Sequence, residues 1–257
     1  MTGSEALRAE LADASQILAA LGVLDAFGHV SARSPLDSGR FLMSRSMAPA
    51  LVTPTDVVEI DLDGTCPDDP AARLFLERFI HAEIYRSRPD VAAIVHSHSP
   101  DVLPFTVVPA MRVRPVCHIC GFLDGTPAPF DVADHAGPGT DLLIGDPRLG
   151  AALANHLGEA TVVLMRGHGF TAVGLGVPQA TFRATYTARN CQIDLSSRVL
   201  GQPIYLTEAE AAACERATNS QIDRAWSLWR RDLRQNERQP RSGPRSRIAT
   251  HKKRALA

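Results

Sequence analysis

Between residues 5 and 21, apolar side chains recur at Leu7, Leu11, Ala14, Leu18 and Leu21, steps of three and four that predict an amphipathic helix stopped by Gly22. The period then changes. GHVSARS (28–34), RFLMSRS (40–46) and DVVEIDLDG (56–64) are short β-type runs divided by turn residues, and they predict an antiparallel set. Helical spacing returns over 73–85 (Leu74, Ile80, Ile84), with Pro89 closing it before the buried-strand run VAAIVHSH (91–98). A Pro- and Gly-rich stretch over 104–140 reads as loop. Residues 146–158 read as a helix with Asp146 as N-cap and Pro147 at its first position. TVVLMRGHGFTAVG (161–174) predicts a strand, a turn at Gly167–Gly169 and a second strand, and helices follow over about 177–200 and 207–235. There is no internal repeat. The order predicts a three-layer α/β/α domain around a central mixed, largely antiparallel sheet. It is not a regular βαβ alternation and lacks a GxGxxG or Walker loop, which disfavours a nucleotide fold.

Composition narrows the class. With 257 residues, 45% hydrophobic and 21% charged, the chain can bury one sizeable core. We expect a single domain over 1–236 and a basic, disordered tail over 237–257. The full chain has 27 Lys/Arg and 28 Asp/Glu; ten of the former and two of the latter fall in residues 230–257, which leaves 17 against 26 in the body, a net of −9. An acidic body argues against nucleic acid as partner. Glu5, Glu10 and Asp13 interrupt the start, so no export signal is expected, and no run of 18 apolar residues predicts a membrane span. Five cysteines, an odd number, fit a reduced cytoplasm better than a disulfide framework; Cys117 and Cys120 form a lone CxxC read as structural.

Candidate chemistry sits at the strand ends. His96 and His98 are one residue apart at the end of an apolar strand, so both imidazoles point to one side of it. His168 lies between Gly167 and Gly169 at the end of another apolar strand. Three neutral imidazoles leave positions open on a divalent ion, the pattern of a catalytic site. Glu77 and His81, four apart on the expected helix 73–85, share a face, and a carboxylate in the apolar segment LFLERFIH is costly to bury unless it has a task or a partner.

The E-x-x-x-H segment, IYRSRPDVAAIVHSHS and LMRGHGFTAVG together resemble the class II aldolase/adducin family, from the first helix to about residue 235. The resemblance implies that His96, His98 and His168 hold one divalent metal ion per subunit and that Glu77 is the catalytic acid/base. It also implies a four-fold tetramer with active sites between neighbours. Zinc, manganese, cobalt and iron all suit the histidine set. The phosphate cradle of the sugar-phosphate members is altered here, to Gly28-His29-Val30-Ser31 and to Met43-Ser44-Arg45-Ser46. Arg45 offers a planar fork suited to a carboxylate, or alternatively pairs with the acidic surface. MSRSMAPALVTPTDV, PVCHICGFLDGTPAPFDV and DRAWSLW resemble the branch that decarboxylates aromatic-pathway acids, such as 3,4-dihydroxyphthalate decarboxylases.

The resulting expectation is a cytoplasmic, metal-dependent carbon–carbon lyase that decarboxylates a small hydroxylated aromatic or ring-cleavage-product acid in aromatic catabolism. His29, Ser44, Arg45, Ser46, His118 and Tyr186 are the candidate substrate contacts, Tyr186 or its counterpart arriving from a neighbouring subunit. Trp226 and Trp229 are read as packing residues or as a cap across an interface. Two alternatives stay open: an aldolase or epimerase on a sugar phosphate, and a non-catalytic adducin-like scaffold.

Overall fold

The computed structural model describes residues 3–238. Six strands, β1 (His29–Arg33), β2 (Arg40–Ser44), β3 (Val57–Asp61), β4 (Ala93–Ser97), β5 (Val162–Met165) and β6 (Gly169–Gly174), form one sheet in the order β3-β2-β1-β4-β6-β5. Every pairing within it is antiparallel, and a parallel bridge between Phe130 and Met165 extends its outer edge. The helices are α1 (Gly3–Ala20), α2 (Arg78–Ser87), α3 (Leu103–Val107), α4 (Ala133–Ala136), α5 (Pro147–Leu157), α6 (Val177–Leu200), α7 (Glu208–Asn219) and α8 (Ile222–Arg238).

Side chains along the strands alternate between two cores. Val30, Ala32, Ala93, Val95, Phe170 and Ala172 pack with α1, α6 and α8, while Phe41, Met43, Ile94, Val163 and Val173 pack with α2 and α5. The expected three layers follow from that alternation, since β4, β5 and β6 are buried throughout and need cover on both faces. Burying a side chain such as Ile80 or Leu153 contributes about 1.5–3 kcal/mol. α5 starts as its sequence predicts, with Asp146 Oδ1 accepting the Leu149 N–H at 2.8 Å. Gly150 then lets it touch α2, because a Cβ there would sit 2.4 Å from the Phe79 carbonyl oxygen.

Two helix boundaries differ from the sequence reading. The helix expected from residue 73 begins at Arg78, with Glu77 at its N-cap. The Arg73 carbonyl accepts the Ser46 N–H at 2.7 Å, so this segment is drawn alongside the β2 exit and cannot start a helical turn. The helix expected over 207–235 is two helices, broken at Ser220-Gln221, where the polar run Thr218–Gln221 competes for its own backbone. The Pro- and Gly-rich stretch read as loop also holds α3, α4 and a 3-10 segment, His118–Leu123. α8 continues through Arg238, and the remainder of the expected tail lies outside the described residues. No helix among the described residues is long and apolar enough to cross a membrane.

Candidate metal centre and adjoining cavity

β4 turns His96 to the α2 side of the sheet, and the backbone just beyond it brings in His98. β6 pairs alongside, so the turn before it sets His168 opposite them. That approach needs Gly169: a Cβ there would lie 2.1 Å from the Ser97 carbonyl oxygen. Glu77, at the start of α2, closes the group, and one ligand atom from each of the four residues lies within 4.8 Å of all the others. His98 Nε2 is 3.0 Å from His96 Nε2 and 3.1 Å from His168 Nε2. Glu77 Oε2 is 3.2 Å from His168 Nε2 and 3.5 Å from His96 Nε2.

The opposite nitrogen of each ring is held from outside. His168 Nδ1–H donates to the Leu142 carbonyl at 2.9 Å, His98 Nδ1 lies 3.3 Å from both carboxylate oxygens of Asp25, and His96 Nδ1 lies 3.2 Å from Thr171 Oγ1. Such outer bonds fix the tautomer and aim the Nε2 lone pair inward. Converging lone pairs beside a carboxylate are unfavourable alone, and a divalent cation satisfies all of them, so this donor set is one that can hold a metal. Burial pushes the His96 imidazole down to about 4. Burial alone would raise Glu77, but its close approach to the His168 and His96 rings outweighs burial and holds the carboxyl well below its usual range. Its Oε1 accepts the Ile144 N–H at 3.0 Å, which fixes the carboxylate plane.

A cavity of about 440 Å³ opens beside the cluster, lined by Glu77, His98, His29 and Ser46 and by the apolar Phe27, Met47, Phe75, Leu76 and Leu143, with Ala26 and Ala48. His29 packs its ring against Phe75 at 4.5 Å between centroids. Ser44 and Arg45 are not among the lining residues; Arg45 Nη1 is paired with Asp69 at 2.8 Å, so the fork expected for a carboxylate is directed to the acidic surface. His118 and Tyr186 lie apart from the cluster within one chain, lining a second cavity of about 460 Å³ together with Arg189, Arg224 and Trp229. The loop carrying His118 does not return to the histidines because its 3-10 segment packs against α7, close enough that a Cβ on Gly121 would meet the Ala211 carbonyl oxygen at 2.3 Å. Trp226 and Trp229 are buried in the core shared with α1 and α6. Cys117 Sγ and Cys120 Sγ lie 2.9 Å apart as free thiols.

Asp25 and Thr171 escaped the sequence reading, and Ser31 entered it only as part of the altered cradle. Asp25 carried a usable signal, since its side chain accepts the N–H groups of Phe27 and Gly28 in a tight turn just before β1. Nothing local marks Thr171 or Ser31. Only strand register brings Thr171 beside His96 and turns Ser31 to the face of α2.

The Class II Aldolase and Adducin N-terminal domain model matches residues 9–195. A decarboxylase, tropJ, from Talaromyces stipitatus is 40% identical over 234 residues, covering 82% of this chain and 88% of the relative. A 3,4-dihydroxyphthalate decarboxylase from Terrabacter is 32% identical over 201 residues, covering 72% and 78%. In fold, the chain superposes on the crystal structure of an aldolase II superfamily protein from Pseudomonas syringae with a TM-score of 0.76 at 22% identity, covering 92% of this chain and 95% of that one. The sheet order, the strand-end histidines and these relatives agree, and the chain belongs to the class II aldolase and adducin family, as one of its lyases.

Proposed function

We propose that the chain is a divalent-metal-dependent carboxy-lyase acting on a small hydroxylated aromatic or ring-cleavage-product acid. The observation that carries this reading is the wall of the cavity: Phe27, Met47, Phe75, Leu76 and Leu143 are apolar, and no Lys or Arg is among the lining residues. A phosphate ester entering that wall would lose its hydration without a cationic side chain to replace it. A flat acid buries its ring against Phe75 and Leu76 and turns its oxygens to the cluster. The relatives named as decarboxylases support the same chemistry.

His96, His98 and His168 would hold the ion, and zinc, manganese, cobalt and iron all suit this donor set. When bound, a divalent ion supplies Lewis-acid stabilisation for the electron pair left by the broken carbon–carbon bond. Glu77, an ionised carboxylate with its Oε1 tied to Ile144, keeps Oε2 to take the proton of a ring hydroxyl and pass it to the carbon that loses its carboxylate. His29 and Ser46 hold the carboxylate or a ring hydroxyl. The test is carbon dioxide release from dihydroxyphthalates and catechol carboxylates, run beside retro-aldol cleavage of fuculose- and ribulose-type phosphates. We expect metal-dependent release from the acids. Efficient cleavage of the phosphates, with no release from any acid, would restore the aldolase alternative.

The same reading includes a tetramer with the cavity completed by a neighbour. What supports it is the apolar surface that one chain leaves exposed: Val199, Leu200 and Ile204 are 86%, 91% and 93% exposed, and Phe27 at the cavity is 70% exposed. Light scattering on the purified protein should give the mass of four chains, and a fully active monomer would remove the assembly from the proposal.

A further inference from the structure

The face of β1 turned toward α2 carries an unbroken line of buried polar side chains. His29 Nδ1 is 2.8 Å from His81 Nε2, His81 Nδ1 is 2.6 Å from Ser31 Oγ, and Ser31 Oγ is 2.8 Å from Tyr85 Oη. All four residues are buried. Both rings are buried and neither has a carboxylate among its hydrogen-bond partners, so a charge on either would be costly; each is neutral and carries one N–H. The line can then be ordered in two senses.

In the first, Tyr85 O–H donates to Ser31, Ser31 O–H donates to His81 Nδ1, and His81 Nε2–H donates to His29 Nδ1. Every donor within the line is used, and His29 keeps its proton on Nε2, which points out of the line. In the reversed sense His29 Nδ1–H donates to His81, His81 Nδ1–H to Ser31, and Ser31 to Tyr85. The Tyr85 O–H then has no acceptor among the described residues, since Ser31 is its one hydrogen-bond partner there. An unpaired buried donor disfavours that sense by about 5- to 150-fold in population. The remaining nitrogen, His29 Nε2, has no partner among the described residues, yet the buried side-chain atoms left unpaired there are Ser99 Oγ and Thr181 Oγ1. Nε2 is therefore open to the cavity that His29 lines.

We propose that His29 presents Nε2–H to the cavity as a fixed donor for an acceptor oxygen of the bound acid, and that His81 and Ser31 are the positioning residues that fix this tautomer, with Tyr85 as the outer end of the line. The proposal rests on the reading that the cavity receives the acid. A neutral donor orients a carboxylate or phenolate oxygen without burying a second charge, and it discriminates against a ligand that offers only donors at that point.

The test uses the full chain labelled with ¹⁵N-histidine and loaded with zinc, read by two-bond ¹H–¹⁵N correlation, with His29 assigned by the signals lost in His29→Gln. The wild type should show His29 protonated on Nε2 alone. Tyr85→Phe should leave that tautomer unchanged, because Ser31 still has His81 to donate to. Ser31→Ala removes the donor to His81 and should mix the tautomers of both rings. Protonation of His29 on Nδ1 in the wild type, or a Ser31→Ala variant with both rings unmoved, overturns the positioning chain. Titration with 2-hydroxybenzoate separates the two levels of the argument: the His29 Nε2–H resonance should shift on binding. A correct tautomer that ignores 2-hydroxybenzoate overturns the donor role together with the cavity reading, whereas a shift with Nδ1 protonated overturns the chain and leaves the cavity reading standing.

Discussion

His96→Ala, His98→Ala and His168→Ala should each give a folded protein that lacks both stoichiometric metal and measurable turnover. His98 Nε2 lies 3.0 Å from His96 Nε2 and 3.1 Å from His168 Nε2, and each ring is aimed by its own outer partner, Thr171, Asp25 or Leu142. Loss of an outer partner alone commonly costs 10- to 100-fold in metal affinity, so loss of a ligand should cost more. Elemental analysis after desalting measures the first consequence. Thermal unfolding measures the second: metal at 100 times its dissociation constant should stabilise the wild type by about 2.7 kcal/mol, roughly 5–10 °C in Tm for a chain of this size, and chelation should remove that increment. The variants should show no increment at all. A protein that keeps one metal per chain with two of the three imidazoles removed would sink the site.

Glu77→Gln should separate chemistry from architecture. The glutamine keeps an oxygen for the Ile144 N–H and leaves the three imidazoles in place, so metal content and Tm should stay near wild type. What it loses is the carboxylate oxygen proposed to take up a proton and pass it to the reacting carbon, an acid/base function worth typically 10²–10⁴-fold in turnover. Metal occupancy, Tm and kcat measured on one preparation distinguish the outcomes. Near-wild-type kcat would take Glu77 out of the mechanism; loss of the metal together with kcat would make it a ligand first.

The amino-acid pattern alone carried the layered architecture, because the periods of 2 and 3.6 are local properties of the backbone and decide which side chains face a core. It also carried the cap on α5, where Asp146 and Pro147 act within one turn, and the nearness of His96 to His98, one residue apart at the end of β4. The histidines and Glu77 were legible as a group through the family resemblance, and the fold sets them within 4.8 Å. Contacts between distant segments were decided only in three dimensions. The bond from Ser46 N–H to the Arg73 carbonyl moved the start of α2 and put Glu77 at its first turn. Arg45 pairs with the Asp69 carboxylate, 24 residues away. The 3-10 segment after Cys117 packed on α7 and took His118 to another cavity, which Tyr186 of α6 also lines. His29, Ser31, His81 and Tyr85 form one line across 50 to 54 residues of sequence, because β1 lies under α2 and a period of two meets a period of nearly four. A residue's neighbours along the chain determine its direction from the backbone, but its partner is set by which elements pack together, and that choice belongs to the whole core.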